Sequence, residues 1–424
     1  MAPLRVLIFE SDATGHRLQH VRVCVEAIAD LDVEIVFATS ATTPGSDEFR
    51  THVAPVLHRV TVDASFEAAD GASPWQMATR RAAECAAAVE RHRPDHVYVL
   101  YADGLAQITG IARLVGRSRR HRRVEYEGIL MRGRFAYPHR SWPDAVRARA
   151  WLAATALSPF DILHFLDPIP YERIVQHGGR LATRARLIPE PVEPPTITSR
   201  DEARRRLRLP PEGRIVCCPG GLDQRKGVDR LIRAFAACQG TLRPDDRLLL
   251  IGRVHESIRE AIQATSDLRQ CGRIILRDEF VSDEDLHHAI SAADVVAAPY
   301  PRHIGSSGIV VRAVALERLV LASDFGWIGM VASRFGLGPT CDCRDDGAIA
   351  RSLSAALAAS PSYRPSAAAR RFARYHTKAN YEAHLARRLR QRLGHGSVRD
   401  LCAWDWVLQA SAETPATTSA HGEA

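Results

Sequence analysis

The stretch Arg214–Phe235, RIVCCPGGLDQRKGVDRLIRAF, contains a predicted strand, a glycine turn and a predicted helix in direct succession. Its first residues form a continuously apolar run, and its later apolar residues recur every three or four positions, as in an amphipathic helix. A strand that is apolar on both faces is typical of a parallel sheet covered by helices. The unit therefore predicts a doubly wound α/β sheet, whose ligands bind beyond the carboxyl ends of the strands.

The same alternation of strands and helices fills both halves of the chain. The segment Leu187–Ser199, LIPEPVEPPTITS, separates the halves, and its prolines and lack of periodicity indicate a linker. With two such sheets, the default ligand site is the cleft between them. The predicted strands are Arg5–Phe9, Val33–Thr39, His96–Tyr101, Arg123–Leu130 and Phe160–Leu166 in the first half, and Arg214–Gly220, Arg247–Gly252, Arg273–Val281, Asp294–Tyr300 and Leu319–Asp324 in the second.

These patterns predict five segments. Residues 1–190 form an N-terminal Rossmann-like domain on the acceptor side, 191–200 a hinge, and 201–360 a C-terminal Rossmann-like domain that binds a donor. Residues 361–395 form helices that return to the N-terminal domain. Residues 396–424 end in ASAETPATTSAHGEA, whose small and polar side chains cannot bury enough apolar surface to pack. We therefore expect this tail to be largely disordered.

The composition sets limits on partners and on cellular location. A net charge of +8 suits anionic ligands such as nucleotides or lipid headgroups, although a solvated basic surface explains it equally well. No run of about eighteen apolar residues is long enough to cross a membrane, and the first residues lack the pattern of a signal peptide. The nine cysteines show no spacing that completes a zinc site. We therefore expect a cytoplasmic protein with reduced thiols and no metal.

A dense basic run, Arg117–Arg123, precedes one of the predicted strands. It could contact anionic lipid or an acidic acceptor, which would place the protein peripherally at the inner face of a membrane. A solvated face is the simpler interpretation. The run lacks the interleaved aromatic residues that are typical of single-strand nucleic-acid binding, so no nucleic-acid partner is expected.

The opening stretch contains a candidate anion site. Gly220 and Gly221 follow the strand and allow a backbone to approach a ligand closely. Arg225 and Lys226 then stand at the predicted start of a helix, where free amides and the helix dipole already favour an anion. Two cations at that place suit a diphosphate. A turn with a solvated basic pair is the structural alternative.

A second candidate lies in the stretch Pro299–Gly326, PYPRHIGSSGIVVRAVALERLVLASDFG. A polar loop with Gly305, Ser306, Ser307 and Gly308 follows a strand and precedes a helix. Either serine could cap that helix, and the glycines remove side chains that would block a ligand. The first amides of the helix would then face a second anionic group. An ordinary capped helix remains the alternative.

The first half offers weaker candidates at the ends of its strands. Gly15 and His16 follow the first strand, and His16 could contact a donor or acceptor phosphate. Glu127 and Asp103 lie near the ends of two later strands. A carboxylate there could act as a general base or bind sugar hydroxyls. For each of them a solvated or loop-capping role is the competing interpretation.

The two motifs of the second half, in this order, resemble the donor-binding half of a family 4 glycosyltransferase of the GT-B fold. The resemblance runs from about Arg214 to Gly329, and Lys226 falls on the family's diphosphate-binding lysine. It implies two Rossmann-like domains that face a central cleft. It also implies transfer of a sugar from a nucleotide-diphosphate donor, with retention of configuration and without a cofactor or catalytic metal.

The sequence departs from that family at several positions. The family usually carries two glutamates, one for the donor sugar and one for the ribose hydroxyls, and their positions here are Ile304 and Arg312. Arg312 cannot accept hydrogen bonds, so we expect it to reach a phosphate or a donor carboxylate instead. The family's arginine falls on Gly221, with Arg225 as a nearby substitute. Its catalytic-region histidine falls near Glu127.

Three alternatives stay open on the sequence. One is a different GT-B enzyme, such as an epimerase or a phosphorylase. Another is a protein on the same scaffold that binds a nucleotide or carbohydrate without catalysis. The third is a doubly wound dehydrogenase, although the loop after the first strand, ESDATGH, lacks the G-x-G-x-x-G fingerprint. The acceptor, whether carbohydrate, lipid or small molecule, is not identified by any motif.

Overall fold

We describe the protein from a computed structural model, which covers residues 3–13, 17–67, 73–115, 124–138, 141–395 and 401–409. The strands in these residues are β1 (Leu4–Phe9), β2 (Val33–Ser40), β3 (Thr61–Phe66), β4 (His96–Val99), β5 (Glu125–Leu130), β6 (Ile162–Phe165), β7 (Ala185–Leu187), β8 (Ile215–Pro219), β9 (Arg247–Ile251), β10 (Ile274–Arg277), β11 (Val295–Ala298), β12 (Leu319–Ser323) and β13 (Thr340–Cys341). The helices are α1 (Arg17–Ile28), α2 (Asp47–His52), α3 (Pro74–His92), α4 (Leu105–Leu114), α5 (Trp142–Leu157), α6 (Pro168–His177), α7 (Gly179–Ala182), α8 (Arg200–Arg206), α9 (Val228–Ala237), α10 (Arg259–Gln263), α11 (Ser266–Gln270), α12 (Asp283–Ala292), α13 (Gly308–Ala315), α14 (Gly326–Phe335), α15 (Asp346–Ala359), α16 (Ala367–Tyr375), α17 (Lys378–Arg392) and α18 (Trp404–Leu408).

Two parallel sheets form the two lobes of the molecule. The N-terminal sheet has the order β3-β2-β1-β4-β5-β6-β7, and the C-terminal sheet has the order β10-β9-β8-β11-β12-β13. Strands β4 and β8 are buried along their whole length. In each sheet the strand order reverses beside the first strand, between β1 and β4 and between β8 and β11. Such a switch point opens a crevice at the carboxyl ends of the strands. The prediction of two doubly wound α/β halves is confirmed.

Three strands escaped the sequence patterns. β3 and β13 lie at sheet edges, and β7 is the short last strand of the N-terminal sheet. β3 is largely half-buried or exposed, so its sequence contains no continuous apolar run. β7 and β13 have three and two residues, which is too short for a periodic signal. A strand that is only partly buried, or that has very few residues, therefore leaves no clear pattern in the sequence, although it pairs with its neighbour in the folded sheet.

The C-terminal helices connect the two lobes. α16 packs against α13 of the second lobe, whereas α17 packs against α1 of the first. At the second contact, the Tyr381 hydroxyl and His20 Nδ1 lie 2.9 Å apart. The Lys378 amide donates to the Val192 carbonyl at 2.8 Å, which ties the start of α17 to the linker. The chain therefore crosses between the lobes twice, once through the linker and once between α16 and α17, and these two segments lie side by side.

The expectation of a disordered tail is wrong for residues 401–409. Within them α18 packs on the second lobe, and Trp404 is only 6% exposed. Its ring lies 6.1 Å from that of Phe335 and 5.3 Å from that of Tyr375. Two tryptophans in this short segment supply enough apolar surface to hold it against the core, which the polar composition of the last residues concealed.

Candidate functional site

The two glycine motifs of the second lobe meet at the carboxyl ends of β8 and β11. Gly220 follows β8 with a φ of +86°. A Cβ at this position would lie 3.1 Å from Lys226 Nζ and 3.8 Å from Ile309 Cδ1, in the first turn of α13. Glycine is therefore required for the backbone conformation and leaves the space that these groups border. The structure brings both motifs to one edge of the sheet.

The cationic pair precedes its helix and does not open it, contrary to the prediction. Residues Gln224–Lys226 form a single 3₁₀ turn, and α9 begins at Val228. Asp223 Oδ1 accepts a hydrogen bond from the Lys226 amide at 2.8 Å. Gly227 then adopts a φ of +69°, and any Cβ there would collide with the Pro299 carbonyl. The turn is thereby fixed against the chain that follows β11.

Lys226 is a desolvated cation. Burial lowers the pKa of its ammonium group, whose Nζ lies 5.9 Å from the centre of the Tyr300 ring. No carboxylate in the described part of the chain lies within ion-pair distance of it. The neighbouring Arg225 is exposed and only loosely paired with Asp223, at 3.4 Å. A partly desolvated cation without an ion-pair partner favours an incoming anion, because the anion would restore the interactions lost with water.

The serines do not cap α13 as predicted. Ser307 is the N-cap residue, but its side chain accepts no hydrogen bond from the helix. It is buried and hydrogen-bonded to Tyr300. The Ser306 hydroxyl turns away and donates to Glu190 Oε2 at 2.5 Å. The first amides of α13, beginning at Gly308, therefore have no capping side chain, and such a helix end favours an anion.

We call the candidate anion site bordered by Gly220, Lys226 and the first turn of α13 the anion cradle, and residues 305–308 its cradle loop. This loop contacts the first lobe at Gly305. Its φ is +106°, and a Cβ there would lie 2.8 Å from the Met131 carbonyl oxygen. Asp103 accepts hydrogen bonds from the amides of Met131 and Arg132 at 2.7 and 3.0 Å. Its carboxylate therefore holds the loop after β5, which is the capping role and not the predicted acceptor-side contact. Burial raises the pKa of Asp103.

Arg132 is a site residue that the sequence analysis missed. It is exposed, and its backbone is held by Asp103 beside the cradle loop. Burial, together with the positive charges of Arg225, Arg132 and Lys226, lowers the pKa of His303 to about 4. Three cations, one of them from the opposite lobe, therefore act on the pKa of this one imidazole. The sequence signal that could have identified Arg132 was its position, because it is a basic residue just after the end of β5.

Glu127 does not face the cleft, and its prediction as a catalytic base is wrong. It lies in the middle of β5, which extends to Leu130, and is 1% exposed. Its Oε2 accepts from His164 Nε2 at 2.7 Å, and its Oε1 lies 3.3 Å from His96 Nε2. Burial alone would raise the pKa of Glu127, but these two imidazoles lower it to about 2. Glu127, His96 and His164 therefore form a polar cluster inside the N-terminal sheet.

Gly15 and His16 lie outside the described residues, so their roles stay predictions. The residues beside them form a charged cluster at the carboxyl end of β1. Glu10 is fully buried and pairs with Arg17 at 2.9 Å and with Arg81 at 3.0 Å. This cluster belongs to the edge of the N-terminal sheet that faces the cleft.

Arg312 is 7% exposed, and its Nη2 lies 3.0 Å from Asp283 Oδ1. Its Nη1 borders the first residue of α13, because a Cβ at Gly308 would lie 2.9 Å from it. Its contact with a phosphate or a donor carboxylate stays a prediction, and the guanidinium group already shares its charge with Asp283. Gly221, in contrast, is exposed with open space around its Cα, as a ligand-facing position requires.

Neither a candidate metal site nor a candidate membrane-spanning helix is present in the described residues. They contain no group of three or more histidine, cysteine, aspartate or glutamate side chains placed to hold a metal ion. Among them no helix is both long enough and apolar enough to cross a bilayer. The basic run Arg117–Arg123 lies outside the part of the chain that the structure covers.

Comparisons with known proteins agree with this geometry. Residues 199–376 match the family model described as glycosyl transferases group 1. Sucrose-phosphate synthase from Thermosynechococcus elongatus superposes with a TM-score of 0.67 at 18% identity, over 93% of this chain and 100% of that one. Anabaena Alr3699/HepE in complex with UDP and glucose gives 0.62 at 16% identity, over 92% and 100%. WaaG, a glycosyltransferase of lipopolysaccharide biosynthesis, gives 0.57 at 15%, over 89% and 95%. No curated protein sequence matches. The chain has the GT-B fold.

Proposed function

We propose that the protein is a glycosyltransferase that moves a sugar from a nucleotide-diphosphate donor to an acceptor hydroxyl, with retention of configuration and without a catalytic metal or cofactor. The observation that carries this proposal is the half-buried Lys226, whose ammonium group lies beside Gly220 and the uncapped end of α13. The match of residues 199–376 to group 1 glycosyl transferases supports the reaction class. The UDP held by the HepE neighbour makes UDP-sugars the first donors to test.

The site would act by stabilising the leaving group. When the bond between the anomeric carbon and the phosphate oxygen breaks, its electron pair leaves with the diphosphate, which gains negative charge. Lys226, Arg225 and the first amides of α13 are preorganised to meet that charge, and Arg132 adds a cation from the other lobe. The acceptor oxygen bonds to the anomeric carbon, and its proton passes to an oxygen of the leaving diphosphate. Closure of the lobes would exclude water from the activated sugar.

A second candidate is a GT-B protein that binds a nucleotide or carbohydrate without transferring it. Two observations favour keeping it. Ile304 and Arg312 replace the carboxylates that the resemblance implies, and Glu127 is buried away from the cleft. Under this alternative the anion cradle would be retained, while the groups that act on the sugar and the acceptor would be lost.

A donor screen separates the two candidates. We expect the purified protein to bind UDP, ADP or GDP in calorimetry, and to release the diphosphate from one UDP-, ADP- or GDP-sugar when acceptors are supplied. The release would be measured in parallel with mass spectrometry of the products. Binding without release or product would favour the non-catalytic protein. The absence of binding to any of these nucleotides would contradict the transferase and would leave only a carbohydrate-binding form of the second candidate.

We also propose that the first lobe contacts an anionic membrane surface from the cytoplasm, which would bring a lipid-linked acceptor within reach. Trp142 is 78% exposed and Val146 52%, both on α5. Trp75 lies on α3, is 51% exposed and packs edge-on against Trp151 of α5. The exposed Arg149 lies on α5 as well. Exposed tryptophans beside basic residues suit the interface of a bilayer with anionic lipids.

Vesicle sedimentation tests this surface. The protein is expected to bind vesicles of phosphatidylglycerol and phosphatidylcholine, and to bind pure phosphatidylcholine much less, because the basic residues need anionic headgroups. The Trp142→Ser variant should bind the mixed vesicles several-fold more weakly. Phe280, 64% exposed on the second lobe, offers the control, and Phe280→Ser should bind as the parent does. Equal losses in both variants would contradict the proposed surface.

A further inference from the structure

The linker brings a carboxylate into the anion cradle. Glu190 lies between Pro189 and Pro191, three residues after the end of β7. Its Oε2 accepts a hydrogen bond from the Ser306 hydroxyl at 2.5 Å. A Cβ at Gly308 would lie 3.7 Å from its Oε1, so the carboxylate faces the first residue of α13. The helix itself offers no carboxylate in that turn.

The backbone around Glu190 is held on both sides. Its amide donates to His376 Nδ1 at 2.9 Å, and its carbonyl accepts from the Val192 amide at 2.9 Å. Burial lowers the pKa of His376 to about 3, so that Nδ1 stays an acceptor at neutral pH. The flanking prolines restrict the backbone further. The side chain is therefore aimed at the cradle by a rigid frame.

The charge of Glu190 is only partly compensated. Burial raises its pKa, while the Ser306 hydroxyl and the positive charge of Arg312 act in the opposite direction. Arg312 also forms an ion pair with Asp283, and its buried Nε has no hydrogen-bond partner among the described atoms. Glu190 is half-buried and so remains reachable from the cleft. Ser306 uses only part of the acceptor capacity of the carboxylate.

The chemistry of a carboxylate selects what it can bind there. A phosphate beside Glu190 would meet like charge, so the diphosphate belongs with Lys226, on the other border of the cradle. The uncharged donors of a nucleotide-diphosphate sugar include the hydroxyl groups of its ribose and of its transferred sugar. Hydrogen bonds from hydroxyls to an ionised carboxylate are short and strong. Such contacts also leave Glu190 ionised.

We propose that Glu190 is the donor-selecting carboxylate of this site and accepts hydrogen bonds from hydroxyl groups of the donor's ribose or transferred sugar. The inference rests on the proposed function. It assigns to the linker a contact that α13 cannot make, because Arg312 stands where that helix could have carried a carboxylate. Since the same residue lies in the linker between the lobes, donor binding would also act directly on the segment about which they close.

The experiment compares Glu190→Gln with Glu193→Gln in the full-length chain. Glu193 lies in the same linker, but its side chain approaches Lys378, at 3.9 Å, and not the cradle. Calorimetry would measure Kd for UDP, for 2′,3′-dideoxyuridine diphosphate and for UDP-glucose, with the ADP and GDP series in place of UDP if the donor screen selects another base. Thermal unfolding of each variant checks that the fold is retained.

If ribose is the partner, the parent should bind UDP about tenfold more tightly than the dideoxy analogue, and Glu190→Gln should abolish that difference. If the transferred sugar is the partner, Glu190→Gln should weaken UDP-glucose about tenfold and leave UDP unchanged. Glu193→Gln should match the parent in both cases. Glu190→Asp keeps the charge and should retain part of the discrimination.

Two outcomes would overturn the inference. Unchanged or tighter binding of every ligand by Glu190→Gln would show that the carboxylate makes no favourable contact with the donor, and tighter binding would show that it blocks the cradle. Failure of the parent protein to bind any of the nucleotides is a different result, because it would remove the proposed function as well.

Discussion

Lys226→Ala is expected to lower kcat/KM for the donor by on the order of 10²–10³, the range seen when one preorganised oxyanion-stabilising group is removed. Lys226 is half-buried, its ammonium group has no carboxylate partner among the described residues and borders Gly220, and desolvation lowers its pKa. Its charge is therefore available to the leaving diphosphate in a site with little water, where an electrostatic contact counts most. Steady-state kinetics with the donor identified in the screen would measure the loss.

The composition of the chain provides a matched control for this prediction. Lys226 and Lys378 are its two lysines. Lys378 is paired with Glu26 and Glu382, each at 3.0 Å, outside the cradle. Lys378→Ala should therefore leave donor kinetics near those of the parent. Arg225→Ala should give an intermediate loss, because that guanidinium group is exposed and more strongly screened.

Selective labelling gives a readout that does not depend on turnover. Because burial lowers its pKa, Lys226 should be acylated faster than Lys378 at mildly alkaline pH wherever the reagent can enter, and bound UDP should protect it. Peptide mass spectrometry resolves the two sites. Labelling of Lys226 that is unaffected by a nucleotide known to bind would contradict the diphosphate contact, as would unchanged kinetics in Lys226→Ala.

Glu127→Ala is expected to lower the free energy of unfolding by about 3 kcal/mol, as the removal of one partner of a buried charged group usually does. His164 would be left in the interior of the N-terminal sheet without the carboxylate that accepts its hydrogen bond, and His96 without the carboxylate oxygen that lies 3.3 Å from its Nε2. Urea unfolding followed by circular dichroism would measure the change. Because the cluster lies away from the cleft, the donor KM of the folded fraction should stay unchanged.

The control for this variant lies on β2 of the same sheet. Glu34 is exposed and pairs at the surface with Arg5, at 2.9 Å, so Glu34→Ala should lower the free energy of unfolding by less than about 1 kcal/mol. A Glu127→Ala protein that keeps its stability and loses turnover would restore the catalytic interpretation of this residue.

The pH dependence of stability distinguishes the charged cluster further. The pKa of Glu127 is lowered from its ordinary value of 4.5 to about 2 in the folded protein. Its contribution to stability is therefore fully present above pH 4.5 and is lost as the pH falls toward 2. Glu127→Gln should show a flatter loss of stability across that window than the parent.

The two glycine turns that border the candidate anion site could be predicted because their signals are local. A continuously apolar strand followed by glycines and a Lys-Gly pair places a cation near the carboxyl end of a parallel strand, whatever the rest of the chain does. The details depended on tertiary contacts. Ser306 was predicted to cap its own helix, but its hydroxyl donates a hydrogen bond to a carboxylate from the linker, 116 residues away in sequence. Glu127 was predicted to lie near the end of its strand and to face the cleft, but its carboxylate lies in the sheet interior beside two histidines from neighbouring strands.

The sequence by itself therefore determined the two doubly wound sheets, the linker between them and the two glycine turns of the second lobe. These features follow from hydrophobic periodicity and from backbone conformations open mainly to glycine, and both act within a few residues. Only the tertiary structure decided that Arg132 joins the cations of the other lobe, that Glu190 enters the cradle and that Glu127 does not. Those outcomes depend on sheet register and on the packing of one lobe against the other, which bring together side chains that no local pattern relates.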